Sequence, residues 1–197
     1  MDLKQRTVLL LFFSSIVAIA QIQTRAYIGA GIGITSNMGY KDPDTFAMAG
    51  LDSERPLGLL RLNFLFSPTD KITYGDVSRI NGEALYYFRI KNDFMLGGGA
   101  NTGSIVFHDL KTSRHRIEPR LGFVFGNDNL RCFVNVQILS TDPLYSVRGV
   151  IMNTEWNFKK SWRLGFTSSV EHIRSKVVPD VINGWGNRAN ISILYIF

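Results

Sequence analysis

Along most of this 197-residue chain, apolar and polar side chains alternate one by one. Period two marks a strand with one face in an apolar medium, because successive side chains point to opposite sides. At the C-terminus Ala189, Ile191, Ile193, Tyr195 and Phe197 form one row, against Asn190, Ser192, Leu194 and Ile196 in the other. Near the start, residues 24–35 set Ala26, Ile28, Ala30, Ile32 and Ile34 against Tyr27, Gly29, Gly31 and Gly33. Residues 57–66 put Leu60, Leu62, Phe64 and Phe66 on one face and Arg61 and Asn63 on the other. The same rule marks residues 79–90, 94–104, 116–125, 130–139, 147–158, 162–172 and 187–197.

Segments of about ten alternating residues separated by turn residues predict membrane-spanning barrel strands. No later stretch is apolar for long enough to cross as a helix, and open sheet edges leave polar backbone unpaired in lipid. The sheet must therefore close. Short joins at 67–70, 91–93, 126–129 and 159–161 alternate with longer loops at 36–56, 104–115 and 174–186, the asymmetry of a bacterial outer-membrane barrel. The strong segments are odd in number, whereas both termini on the periplasmic side require an even one. Parity places the missing strand at residues 70–77, with Ile72 and Tyr74 outward. The fold expected is all-β, an antiparallel up-and-down barrel of ten strands. Eight is the alternative, with residues 57–78 partly folded into one large first loop.

The first residues have a different character. Lys4 and Arg6 precede an apolar run from Val8 to Ala18, and Ala18-Ile19-Ala20 offers small residues for cleavage. This predicts a signal peptide over residues 1–20 and a barrel domain over 21–197. Its removal lowers the formal charge from +6 to about +5. Export and the absence of a Lys/Arg run argue against nucleic acid as a partner. Cys132 is the one cysteine, so no internal disulfide is available. In phase with Val134, Val136 and Ile138, it is expected to face lipid.

Phe66, Phe88, Phe94, Phe125, Trp156, Phe158, Trp162, Tyr195 and Phe197 share the outward phase beside the short joins. Rings there suit the headgroup level of a membrane. A soluble β-sandwich would also bury one row per strand, but it would not need charged residues on its buried face.

The inward row is rich in charge. Phase assigns to the lumen Arg61, Arg79, Arg89, Arg116, Arg120, Arg131, Arg163 and Arg188, together with Glu83, Glu118, Glu155 and Glu171. Asn63, Asn81, Asn101, Asn135, Gln137 and Asn153 share that side. Ions in a narrow low-dielectric space must be paired, and the guanidinium fork engages carboxylates bidentately. Two readings stay open: a barrel plugged by a salt-bridge lattice, and a small pore whose surplus arginines favour anions.

Other motifs carry less. Gly29-Ala30-Gly31-Ile32-Gly33-Ile34 lacks the third glycine of a dinucleotide fingerprint. Its glycines, like Gly97-Gly98-Gly99, read as small residues where the wall approaches bulky arginines. His108, His115 and His172 lack metal-ligand spacing, and no cofactor site is expected.

Two resemblances add to this. Glu171-His172-Ile173-Arg174-Ser175 resembles the catalytic stretch of lipid A deacylase barrels, though Arg174 stands where that family has serine. The likeness implies a base–nucleophile pair, His172 and Ser175, acting on acyl chains. The Ala-Ile-Ala signal end, the Tyr-Ile-Gly-Ala-Gly-Ile-Gly first strand and the Ile-Leu-Tyr-Ile-Phe terminus resemble small outer-membrane barrels of the OmpA, OmpX and opacity-protein type. That resemblance implies residence in the bacterial outer membrane and contact with its lipid and lipopolysaccharide. It also implies that Tyr195 and Phe197 guide insertion by the barrel assembly machinery. The role expected is non-enzymatic: envelope integrity, or contact with an extracellular ligand through loops 36–56, 104–115 and 174–186.

Overall fold

The computed structural model describes residues 23–37, 40–72, 75–108, 111–141, 145–177 and 183–197. The signal peptide expected over residues 1–20 lies outside them. Ten strands run in chain order: β1 Gln23–Asn37, β2 Tyr40–Arg55, β3 Gly58–Ile72, β4 Gly75–Lys91, β5 Phe94–Phe107, β6 Thr112–Gly126, β7 Leu130–Gln137, β8 Tyr145–Lys159, β9 Trp162–Ser175 and β10 Asn183–Ile196. Each pairs antiparallel with its sequence neighbours, and β1 pairs with β10, from Tyr27↔Ile196 to Asn37↔Gly186. The sheet closes, so each strand has a hydrogen-bonded neighbour on both sides, with the short β7 flanking only residues 120–126 of β6 and 149–156 of β8.

One end of the barrel holds the start of β1, the end of β10 and the turns β2–β3, β4–β5, β6–β7 and β8–β9; we call it the turn end. Backbone bonds stitch these connections together, including Arg89 N–H to the Leu57 carbonyl at 2.8 Å and Phe197 N–H to the Ala26 carbonyl at 2.9 Å. Gly126 closes the β6–β7 turn at φ 112°, a left-handed value that favours glycine. The opposite, loop end carries the remaining connections.

The strand count agrees with the parity argument, but the tenth strand lies elsewhere. Residues 36–56 are not a loop: 40–55 form β2, laid against β1 from Gln23↔Glu54 to Asn37↔Tyr40. Residues 70–77 are not a separate strand either. They are divided between the end of β3 and the start of β4, with Ile72 opposite Gly75. The join expected at 67–70 is an irregularity within β3, where the register shifts between Ser67 and Asp70. The true β2–β3 turn is Pro56-Leu57.

The physical reason lies in the side chains of β2. Its outward row is small over Thr45, Ala47 and Ala49, with Leu51 its one large apolar residue, while its inward row mixes Asp44, Phe46, Met48, Gly50, Asp52 and Glu54. The contrast between faces that normally reveals a lipid-facing strand is therefore weak. Moving the turn also takes Phe66 out of the aromatic girdle, since it now stands midway along β3. The loops expected at 104–115 and 174–186 shrink in the same way, because β5 runs to Phe107, β6 starts at Thr112, β9 runs to Ser175 and β10 starts at Asn183.

Ile28, Ile32, Leu121, Val150 and Ile191 are exposed on the exterior. At the turn end Trp162 and Tyr195 meet edge to face at 5.2 Å, as do Tyr195 and Phe197. Cys132 belongs to the outward row but is covered by its neighbours, and the Thr154 hydroxyl donates to its Sγ at 3.5 Å. The glycines of β1 make room for rings and amides rather than for arginines. A Cβ on Gly31 would stand 2.7 Å from Phe46 Cε2, and one on Gly33 would meet the Asn190 side chain.

Candidate functional site: the charged lumen

Strand phase brings the charged row inward, and the closed sheet then folds opposite walls onto one another. The centre of the site is a quartet from four strands. Arg61 of β3 contacts Asp52 of β2 at 3.4 Å and pairs with Glu155 of β8. Arg163 of β9 reaches Asp52 at 2.9 Å and Glu155 at 2.8 Å. Each cation thus touches both anions, and the ring carries no net charge. Arg61 is 1% exposed and lies with its guanidinium carbon 4.0 Å from the centre of the Phe133 ring. Asn153 donates to Glu155 at 2.9 Å, and Arg163 Nε donates to Asn157 at 2.9 Å.

A second layer sits toward the turn end. Arg89 pairs with Glu54, and Arg131 bridges Glu54 at 3.1 Å and Asp128 at 3.0 Å. A third lies toward the loop end, where Arg120 pairs with Glu83 and, at 3.6 Å, with Glu118, which also holds Arg116 at 3.0 Å. Asn63 donates to Glu83 at 2.8 Å and Asn101 to Glu118 at 2.9 Å, while the Tyr27 hydroxyl donates to Asn63. Charged hydrogen bonds of this kind offset the loss of hydration.

The lumen is not wholly polar. Leu59, Leu85, Tyr87, Met95, Val124 and Phe133 form a buried apolar cluster on the β3–β7 side, within a few residues of the turns. Tyr27, Leu194 and Ile196 form another opposite, with Met48 against it. Tyr87 keeps its hydroxyl satisfied by donating to Asn135 at 2.6 Å. The quartet and these clusters lie in the turn-end half. Above them a cavity of about 160 Å³ is bordered by Arg61, Asn63, Glu83, Arg120 and Asn190. A second cavity, of about 120 Å³, lies toward the loop end, shares Arg116, Glu171 and Arg188 with the first and is also lined by Arg79 and Thr35.

Of the residues anticipated from sequence, Arg61, Glu83, Arg89, Arg116, Glu118, Arg120, Arg131, Glu155 and Arg163 thus come together in ion pairs. Arg79 and Glu171 stand apart from the quartet, at the loop-end cavity. Asp52, Glu54 and Asp128 were missed. Two of them lay in the stretch read as a loop, although the excess of inward arginines over glutamates already demanded further carboxylates. The apolar inward residues were missed because inward was equated with polar.

The deacylase-like stretch does not form a base–nucleophile pair. His172 lies in the outward row against Trp185, with ring centres 5.0 Å apart, whereas Ser175 is buried in the opposite row and accepts from Val177 N–H at 3.2 Å. A different contact places Ser78 Oγ 2.7 Å from His108 Nε2. Ser78 gives its proton to the Pro68 carbonyl at 2.6 Å, so the imidazole nitrogen serves there as donor rather than base.

A closed antiparallel sheet with an apolar exterior, an aromatic girdle and a charged interior is a small bacterial outer-membrane β-barrel, in architecture and in compartment. No known family matches the chain, and no curated relative does. Among solved structures it is similar to Neisserial surface protein A, with 10% identity, a TM-score of 0.38, and 89% of this chain and 99% of that one covered. It is similar to Ail, the attachment invasion locus protein of Yersinia pestis, with 13% identity, a TM-score of 0.38, and 88% and 97% covered. The outer-membrane channel DcaP of Acinetobacter baumannii gives 12% identity and a TM-score of 0.40, over 85% of this chain and 62% of that one. The assignment to the class rests on the sheet closure and the exterior chemistry.

Proposed function

We propose that the protein is a non-catalytic, non-conducting outer-membrane scaffold that meets the exterior through its loop-end rim and vestibule. The observation that carries this is the quartet of Asp52, Arg61, Glu155 and Arg163, which joins β2 and β3 to β8 and β9 across the lumen. The two apolar clusters lie beside it in the turn-end half and support the same reading. The strands run 14–17 residues in most cases, whereas about 9–11 suffice to cross the bilayer. They therefore carry the wall beyond the hydrocarbon, and contact with a partner falls to that rim rather than to long loops. Tyr195 and Phe197, exposed at the turn end, are suited to be read by the barrel assembly machinery.

Planar-bilayer recording tests the reading. Purified barrel is expected to insert without discrete conductance steps, and Arg61→Ala combined with Phe133→Ala is expected to introduce them. Steady anion-selective steps from the unaltered protein would establish the pore instead.

A further inference from the structure

The outward row of β9 runs Trp162, Leu164, Phe166, Ser168 and Val170, then changes character at His172 and Arg174. Trp162 belongs to the girdle at the turn end, and His172 follows it by ten residues. A rise of about 3.3 Å per residue along a strand tilted about 40° converts that separation to roughly 25 Å of height, the thickness of the apolar band of such barrels. His172 therefore stands at the opposite interface of the same membrane.

Its lateral neighbours are set by register. Arg148 of β8 is opposite His172, and His172 is opposite Trp185 of β10. One row further out, Ser146, Arg174 and Asn183 are aligned in the same manner. Arg148, Arg174 and Trp185 are exposed, and among the described residues neither arginine has a carboxylate partner. Directly beneath lie Val150 and Val170, paired and exposed. At comparable height on other strands the described exterior carries Ile34, Thr45, Pro68, Ser78 and His115, without lysine or arginine. Among the described residues the cationic groups at this height are thus gathered on one sector, β8–β10.

We propose that Arg148, Arg174, His172 and Trp185 form an exterior site for the phosphate group of an outer-leaflet lipid. This rests on the outer-membrane reading above. At that depth the anions a membrane presents are lipid phosphates. Two guanidinium forks provide the charged donors that such an oxyanion takes. The indole, edge to face with the imidazole, lies at the headgroup level that tryptophan favours. Val150 and Val170 offer apolar wall to the acyl chains below. A soluble anion would gain nothing from that apolar wall.

The test uses the folded chain in detergent micelles with bis-phosphorylated lipid A, read by native mass spectrometry. Heat-modifiable gel migration first establishes that each variant has folded and inserted, which separates failure of the barrel reading from failure of this one. The unaltered protein is expected to retain one lipid A, and Arg148→Gln with Arg174→Gln to weaken retention about tenfold or more. Lys159→Gln with Lys160→Gln removes equal charge at the turn end and is expected to leave retention intact. Lipid A stripped of its phosphates is expected to be lost. Equal retention by the arginine variant, equal retention of the stripped lipid, or displacement by millimolar inorganic phosphate would each overturn the assignment.

Discussion

Arg61 shows how much of this molecule depends on single contacts. It is buried, lies over the Phe133 ring and touches Asp52 and Glu155 together. Truncation leaves two carboxylates in the lumen with only Arg163 to neutralise them, and removing one partner of a buried pair costs about 3–5 kcal/mol. Arg61→Ala is thus expected to lower stability by that amount in urea unfolding from lipid vesicles. Glu155→Gln added to it should restore a large part, since Asp52 and Arg163 then balance. A loss below about 1 kcal/mol would mean that the quartet is solvated as an exposed pair is. Phase along β3 made the inward direction of Arg61 legible, because Leu60 and Leu62 flank it. Its partner Asp52 was not legible, since that residue lies on a strand whose outward row is too small to announce itself.

At the scale of the element, β2 decides the architecture. It lies between β1 and β3, with Ala49 opposite Ile28 on one side and Phe64 on the other. Ala49→Arg would set a guanidinium against lipid near the middle of the band, at a cost of about 2–4 kcal/mol. A loop at residues 36–56 would accept the same change without cost, so the measured unfolding free energy of this variant discriminates the two. The alternation of β9 and β10 was plain because large apolar side chains faced small or polar ones. In β2 alanines faced Phe46 and Met48, which inverts the usual contrast, and only pairing with both neighbours fixes which row is outside. The missing strand was correctly required by parity and then assigned to residues 70–77 for want of a better pattern.

For the molecule as a whole, the lumen is crossed by many small pairings arranged in layers. Salt screens exposed charges over about 10 Å at 0.1 M but reaches buried pairs poorly. The urea midpoint of the barrel is therefore expected to change little between low and high sodium chloride, and a large fall with salt would show that water enters the lattice.

The alternation of side chains by itself determined that the chain closes into an antiparallel barrel, that one row meets lipid, and that the other carries arginines and glutamates. Period two is a local property, written into each strand, so it survives without knowledge of any partner strand. How the lumen is packed was decided only by tertiary structure. Whether Arg61 meets Asp52, and whether Phe133 and Tyr87 come together, depends on which walls closure brings face to face. Residues 94 positions apart in the chain, Arg61 and Glu155, share a hydrogen bond, and no local pattern encodes a meeting at that distance.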